Sequence, residues 1–172
     1  MDVGLGGTVL CGDDLGRLHL RDPRAPAGTS FQACKKATKL VSVHCNALEP
    51  SLVLTAGNDH FARVWDVRRP PPAPADAGPA PLVGVPLATL PHPRVVNSAY
   101  FSPHSGLKIL TTCQDNRLRV WDNGAAQEPA RELVHSNDFS RYLTPFRALW
   151  DPKDFGEGCI LCGRYISEEA QP

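Results

Sequence analysis

The sequence predicts an all-β chain of stacked sheets, and three observations carry that prediction. A strand, turn, strand unit recurs three times; two landmarks in it keep a common spacing; and the apolar runs are short and bounded by Gly, Asn and Asp. Each element follows from one of these.

The hairpin units are Gly12–Leu20 (GDDLGRLHL), Gly57–Trp65 (GNDHFARVW) and Cys113–Trp121 (CQDNRLRVW). Each follows an apolar run, Thr8–Cys11, Leu52–Ala56 or Lys108–Thr112. In each an Asp (Asp14, Asp59 or Asp115) stands six residues before a large apolar residue (Leu20, Trp65 or Trp121). Asp, Asn and Gly suit a tight turn because they bond locally or accept positive φ. These aspartates therefore read as structural, holding the turn by side-chain hydrogen bonds. The second landmark is Val41–Ala47 (VSVHCNA), repeated as Asn97–Pro103 (NSAYFSP) and Phe146–Pro152 (FRALWDP). Ala47 to Pro103 and Asp59 to Asp115 are both 56 residues, while Asp14 to Asp59 is 45. Repeats of about 40–45 residues with a Trp-Asp pair, here Trp65-Asp66 and Trp121-Asp122, read as WD-repeat blades. The extra length of the middle unit is the Pro/Ala-rich run Pro70–Pro81, which lacks regular ladder donors and is expected to be an extended, exposed loop.

The expected architecture is a partial WD-repeat β-propeller of about three to four blades. Residues 1–30 are the end of a first blade, 31–69 a second, 70–86 the loop insertion and 87–135 a third. Residues 136–167 hold a hairpin and the start of a fourth blade, and 168–172 a tail. Rings of this kind close with about 4–8 blades, so the chain reads as part of a larger propeller; an open stack whose ends a partner covers is the alternative. Strands covered on both faces by neighbouring blades explain the weak polar alternation.

Lys plus Arg and Asp plus Glu both number 18, which excludes long-range steering of the whole molecule toward nucleic acid but not a local basic face. The six cysteines are scattered through strand-like runs, and with no basic leader at Met1–Leu5 they read as reduced thiols of an intracellular protein. No apolar run reaches the roughly 18 residues of a membrane span. Cys159 and Cys162 lie in a strand-like run, where residues three apart face opposite ways, so metal binding is not expected. The six histidines show no nucleophile at paired spacing and read as core or turn residues. No constellation supports an enzyme, and no cofactor is implied.

Several segments go beyond a generic WD repeat. They are Gly57–Arg68, Leu90-Pro91-His92 with Val95–Pro103, Leu143–Asp154, and Gly163–Glu168. Over nearly the whole chain, apart from the Pro-rich insert and the tail, the sequence resembles the plant and algal form of the small subunit of UV-damaged-DNA-binding complexes. The resemblance implies a seven-bladed propeller in the nucleus. One face would dock on the large adaptor subunit of that complex and a cullin-4-type ubiquitin ligase. The other would grip damaged double-stranded DNA during nucleotide excision repair, with histones and chromatin as further partners. A WD-repeat protein scaffold without DNA binding is the competing reading.

The resemblance points to three sets of residues. Phe139, Arg141 and Tyr142 match an insertion hairpin whose aromatic and planar cation wedge into the base stack; base–aromatic stacking is worth about 1–3 kcal/mol, comparable with the cost of extruding a base. Ser140 and Tyr142 depart from the family's amide and His there, and without the resemblance the segment reads as an ordinary turn with Phe139 buried. Lys35, Lys36 and Lys39, with Arg94, Arg147 and Arg164 at comparable inter-blade positions, suit phosphate contacts, and Tyr165 matches a residue near the lesion strand. A solvated lysine loop is the plain alternative. Asp66 and Arg68 match an adaptor-docking signature in which the Arg fork meets carboxylate or carbonyl groups and the Asp orients it; a strand end is the alternative.

Overall fold

In a computed structural model, residues 1–4, 6–68, 84–122, 128–136 and 146–163 are described. Among them all regular structure is β, and no helix is long and apolar enough to cross a membrane. Three four-stranded antiparallel meanders follow one another. The first holds β1 (Asp2–Val3), β2 (Val9–Gly12), β3 (Arg17–Arg21) and β4 (Thr29–Gln32). The second holds β5 (Leu40–Cys45), β6 (Leu52–Gly57), β7 (Phe61–Asp66) and β8 (Ala88–Pro91). The third holds β9 (Val96–Phe101), β10 (Lys108–Cys113), β11 (Arg117–Asp122) and β12 (Arg131–Val134). A two-stranded sheet, β13 (Leu149–Trp150) with β14 (Ile160–Leu161), begins a fourth.

These sheets are offset from the sequence units. Phe31 pairs with Leu18 and so belongs to the first sheet, and Ala88–Pro91 pairs with β7 and closes the second across the Pro/Ala insertion. The insertion itself, 70–81, lies outside the described residues. Its far end is anchored: a Cβ on Gly84 would lie 2.6 Å from the Trp65 ring and 2.7 Å from Phe31, so only glycine lets the backbone lie across that part of the core.

The sheets bury their faces against each other. Leu10, Leu18 and Phe31 meet Leu40, Val53 and Trp65; Leu54 and Leu90 meet Val96, Ile109 and Trp121; Leu110 and Leu118 meet Ala148 and Trp150. Central strands β6 and β10 are buried along nearly their whole length, which is why their sequences do not alternate apolar with polar.

The turn geometry corrects one sequence alignment. In the hairpins β2–β3, β6–β7 and β10–β11 the last turn residue is left-handed: Gly16 (φ 83), His60 (φ 73) and Asn116 (φ 63). Ladder register agrees, pairing Gly12 with Leu18, Ala56 with Ala62 and Thr112 with Leu118. Leu15, not Asp14, therefore matches Asp59 and Asp115, and Arg21, not Leu20, matches Trp65 and Trp121. The spacing between the first two hairpins is 44, Gly16 to His60. A gapless match on Asp is one residue out because the backbone handedness, not the carboxylate, fixes the turn.

Asp13 takes the role expected of Asp14, which is exposed. Its Oδ1 accepts the Leu15 and Arg17 amides (3.0 and 2.8 Å), and its Oδ2 meets Arg17 Nε (2.7 Å) and His19 Nε2 (2.9 Å). His19 stands where the other sheets have Arg63 and Arg119, paired to Asp59 at 2.8 Å and Asp115 at 2.5 Å. The first sheet also lacks a second pair: Trp65 Nε1 donates to Thr55 Oγ1 (2.8 Å) and Trp121 Nε1 to Thr111 Oγ1 (3.0 Å), whereas those places hold Arg21 and Cys11.

Between sheets, Ser42 Oγ accepts the Ala99 amide (3.4 Å). At the next interface Thr112, which stands where the preceding sheet has Ala56, takes the Ala148 amide (2.9 Å); Ser98 Oγ, the counterpart of Ser42, is buried without a hydrogen-bond partner.

His92 extends the third sheet's Trp–Thr pair. Its Nδ1 lies 3.0 Å from the Leu90 carbonyl, which can only accept, so Nδ1 carries the proton and Nε2 accepts from the Thr111 hydroxyl at 2.9 Å. Burial pushes His92 down to about 4, with Arg119 adding to the effect, although the Leu90 carbonyl opposes it. The unfolded chain takes up this proton near the ordinary 6.5 and the folded chain only near 4. The contribution is thus complete above that window and disappears as pH falls through it. The thermal midpoint of the unaltered chain is expected to drop between pH 7 and 4, and His92→Gln is expected to have a flatter profile there while starting lower at pH 7. Equal slopes would show that His92 is not held neutral.

Candidate nucleic-acid interface

The meander places chain segments on two opposite rims. One rim gathers the β2–β3, β6–β7 and β10–β11 turns and the connections from one sheet to the next. Hydrogen bonds tie them together: Asn58 N to Lys39 O (3.0 Å), Gln114 N to Val95 O (2.9 Å) and His135 Nε2 against Gly163 O (3.0 Å). The other rim gathers the β1–β2, β3–β4, β5–β6, β9–β10 and β13–β14 loops, linked by Asn46 Nδ2 to Gly106 O (2.8 Å) and by Glu157, which accepts the His104 amide (3.0 Å) and the Ser105 hydroxyl (2.7 Å).

Lys35, Lys36 and Lys39 stand on the first rim, in the connection from β4 to β5, and all three side chains are exposed. Their backbone is firmly held. The Ala33 and Cys34 amides both reach Gly16 O (2.9 Å), Lys35 N reaches Asp59 Oδ2 (3.0 Å), Thr38 N returns to Lys35 O (3.0 Å), and Ala37 is left-handed at φ 59. Arg94, in the β8–β9 connection, is exposed while its carbonyl meets Cys113 Sγ (3.4 Å). Arg147 is exposed two residues before β13.

The acids of this rim are largely engaged. Asp13, Asp59 and Asp115 face cations across their own hairpins, and Glu132 pairs with Arg117 and with Arg119 (2.8 Å). None of Lys35, Lys36, Lys39, Arg94 and Arg147 forms an ion pair among the described residues. A rim whose carboxylates are locally neutralised while its lysines project carries positive potential at its surface although the chain as a whole has none.

Asp66 and Arg68 are on the opposite rim, at the end of β7. Arg68 Nε and Nη2 grip Asp66 Oδ1 and Oδ2 at 3.0 Å each, and the Arg68 amide also donates to Oδ1 (3.0 Å). The Asp66 side chain is 7% exposed and that of Arg68 67%, so the carboxylate is seated in the protein and the guanidinium meets it edge to edge from the solvent side, with Nη1 4.0 Å from Glu49 Oε1. The Asp66 hydrogen bonds and charge raise the Arg68 pKa. Phe139, Arg141, Tyr142, Arg164 and Tyr165 lie outside the described residues.

Among the described residues no three His, Cys, Asp or Glu side chains gather as metal ligands. Cys159 and Cys162 flank β14, and Cys162 Sγ lies 3.4 Å from His135 Nε2. The contact of Asp59 with the lysine connection has no signal in sequence, because it joins residues 24 apart through a main-chain amide that every residue but proline carries.

Residues 84–122 match the family described as WD domain, G-beta repeat. With its four-stranded meanders stacked face to face, the chain is a WD-repeat β-propeller protein, in part of its ring. Its sequence is 51% identical over 94% of its length to "Protein DAMAGED DNA-BINDING 2" of Arabidopsis thaliana, and equally so to "DNA damage-binding protein 2" of Oryza sativa subsp. japonica. The resemblance to the plant form seen in the sequence is thereby borne out. The chain is also 33% identical over 91% of its length to "WD repeat-containing protein 76" of Rhinolophus ferrumequinum. It spans 28%, 26% and 24% of these three relatives.

Because the Asp66–Arg68 pair is exposed on its arginine side and Arg68 packs little, Arg68→Ala is expected to cost no more in urea unfolding than an ordinary surface substitution. A loss several times larger would show that the fork holds the β7 end in place.

Proposed function

We propose that this chain is part of a protein that recognises UV-damaged DNA, with the sheet-connection rim as its DNA-facing side. The observation that supports this most is the 51% identity over 94% of the chain to a relative whose name states damaged-DNA binding, together with exposed cations on one rim beside carboxylates that are already paired. Lys35, Lys36, Lys39, Arg94 and Arg147 would contact phosphates, which positions the protein without reading sequence. Damage would be sensed by energetics: a lesion lowers the cost of unstacking, Phe139, Arg141 and Tyr142 would fill the opened stack, Arg164 would contact phosphate and Tyr165 would serve the lesion strand. None of this needs a catalytic group or a cofactor.

The finer part of the reading is a nuclear substrate receptor of a cullin-4-type ubiquitin ligase, acting in nucleotide excision repair. Asp66 and Arg68 would offer the opposite rim to the large adaptor subunit. That the fork lies away from the lysines supports a division of labour, since both partners can then be held at once. A protein-binding scaffold without DNA contact is the second reading, favoured by the 33% identity to a relative named only for its WD repeats.

The test is binding of the chain to one duplex, UV-irradiated or not, across a salt series. Preference for the irradiated duplex that survives high salt is expected, and Lys39→Glu is expected to weaken both duplexes by a similar factor. Equal affinity of the unaltered chain for the two duplexes would favour the scaffold; a loss confined to the irradiated duplex in Lys39→Glu would remove the phosphate role.

A further inference from the structure

The lysine connection of residues 33–39 differs from the next connection in how it is held. Where β8 passes into β9, the neighbouring hairpin ties the backbone by Cys113 Sγ to Arg94 O (3.4 Å) and Gln114 N to Val95 O (2.9 Å), and Asp115 turns to Arg119. Where β4 passes into β5, the hairpin aspartate itself reaches over: Asp59 Oδ2 accepts the Lys35 amide at 3.0 Å while it pairs with Arg63 at 2.8 Å. Its side chain is only 3% exposed. Burial works against its ionisation, yet the Lys35 amide, the Cys34 thiol and Arg63 outweigh that and hold the carboxyl below the usual aspartate range. The reciprocal effect appears on Cys34, whose thiol is pushed up to about 11 by burial first and then by Asp59. A buried carboxylate that stays charged needs all of its donors, so the amide of Lys35 is not free to drift.

The same hairpin grips the other end of the lysine run. Asn58 N donates to Lys39 O (3.0 Å), and a Cβ on Gly57 would lie 2.6 Å from Cys34 Sγ and 3.0 Å from Lys39 O. From the first sheet, Gly16 closes on the loop as tightly; a Cβ there would be 2.7 Å from Thr38 O and 2.9 Å from Lys35 O. The lysine backbone is thus clamped between two hairpin tips with its three ammonium groups turned outward.

We propose that Asp59 is a positioning residue for DNA binding, presetting Lys35, Lys36 and Lys39 as one rigid phosphate-contacting unit. This rests on the DNA-binding reading above. Asp59 touches no phosphate itself. It acts through the Lys35 amide, so that the backbone carrying the cations is ordered before the duplex arrives and binding costs little further loop entropy.

The readout is the slope of log affinity against log salt on an undamaged duplex, whose magnitude falls by about 0.9 for each phosphate that the protein no longer neutralises. Asp59→Asn in the chain is expected to flatten the slope by about 2, the equivalent of roughly two such phosphates. Asp115→Asn, which breaks the equivalent hairpin ion pair but touches no lysine loop, is expected to keep the full slope. Gly57→Ala, which leaves the Asp59 carboxylate intact but pushes the loop away, is expected to flatten the slope as Asp59→Asn does, and it decides the matter if Asp59→Asn melts below the assay temperature. A full slope in Asp59→Asn or Gly57→Ala, with lower affinity explained by a smaller folded fraction, would overturn the proposal while leaving DNA binding intact. Failure of the unaltered chain to bind any duplex at low salt would overturn the DNA reading and this proposal with it.

Discussion

A carboxylate at the tip of a hairpin, answered by a cation on the strand that leaves it, is the interaction on which the rest of this structure depends. Asp59 meets Arg63, Asp115 meets Arg119, and Asp13 meets Arg17, with a hydrogen bond to the His19 ring beside it. Each pair locks the turn between two central strands, and those strands carry the residues that face the neighbouring sheets. A pair so far from water is stable only when its remaining donors are supplied, and for Asp59 a donor comes from the connection that arrives from the sheet before. The hairpin tip is therefore where one sheet's local structure becomes the next sheet's position.

From that junction follows the separation of the molecule into two rims of different chemistry. On the rim of hairpin tips and sheet connections most acids are used internally, and Lys35, Lys36, Lys39, Arg94 and Arg147 stay exposed with no ion pair among the described residues. On the opposite rim Glu157 caps the turn of the neighbouring sheet, and Asp66 is spent on Arg68. A chain with equal numbers of acids and bases can present a basic surface because pairing, not composition, decides which charges face outward.

Variation among the repeats is coordinated, residue by residue. The first sheet loses the buried indole and its hydroxyl acceptor together, with Arg21 and Cys11 in their places. A Trp without the Thr would bury an unsatisfied N–H, and a Thr without the Trp would leave a hydroxyl to find another partner, so the two change as a unit. The third sheet shows what happens when one member changes alone: Thr112 captures the Ala148 amide and leaves Ser98 Oγ unpartnered in the core.

The repeated hairpins, the strand that precedes each later one and the WD-repeat class were legible in the sequence, because apolar runs bounded by turn residues and a Trp-Asp rhythm report the local chain directly. The lysines, arginines and the Asp66–Arg68 pair were candidates only through the resemblance to a known family, because a short lysine run or a strand-end Asp-x-Arg reads equally well as a solvated loop or a plain strand end. Three things were decided only in three dimensions. The register of the first hairpin was one, since a left-handed Gly16 outranks a matching Asp14 in fixing a turn. The assignment of Thr29–Gln32 and Ala88–Pro91 to the sheets before them was another, since a strand belongs to whichever edge its amides find, and the ladder donors of β3 and β7 were open. The last was the reach of Asp59 to the lysine connection, because a backbone amide has no signature in sequence and only the stacking of sheets brings it to a buried carboxylate.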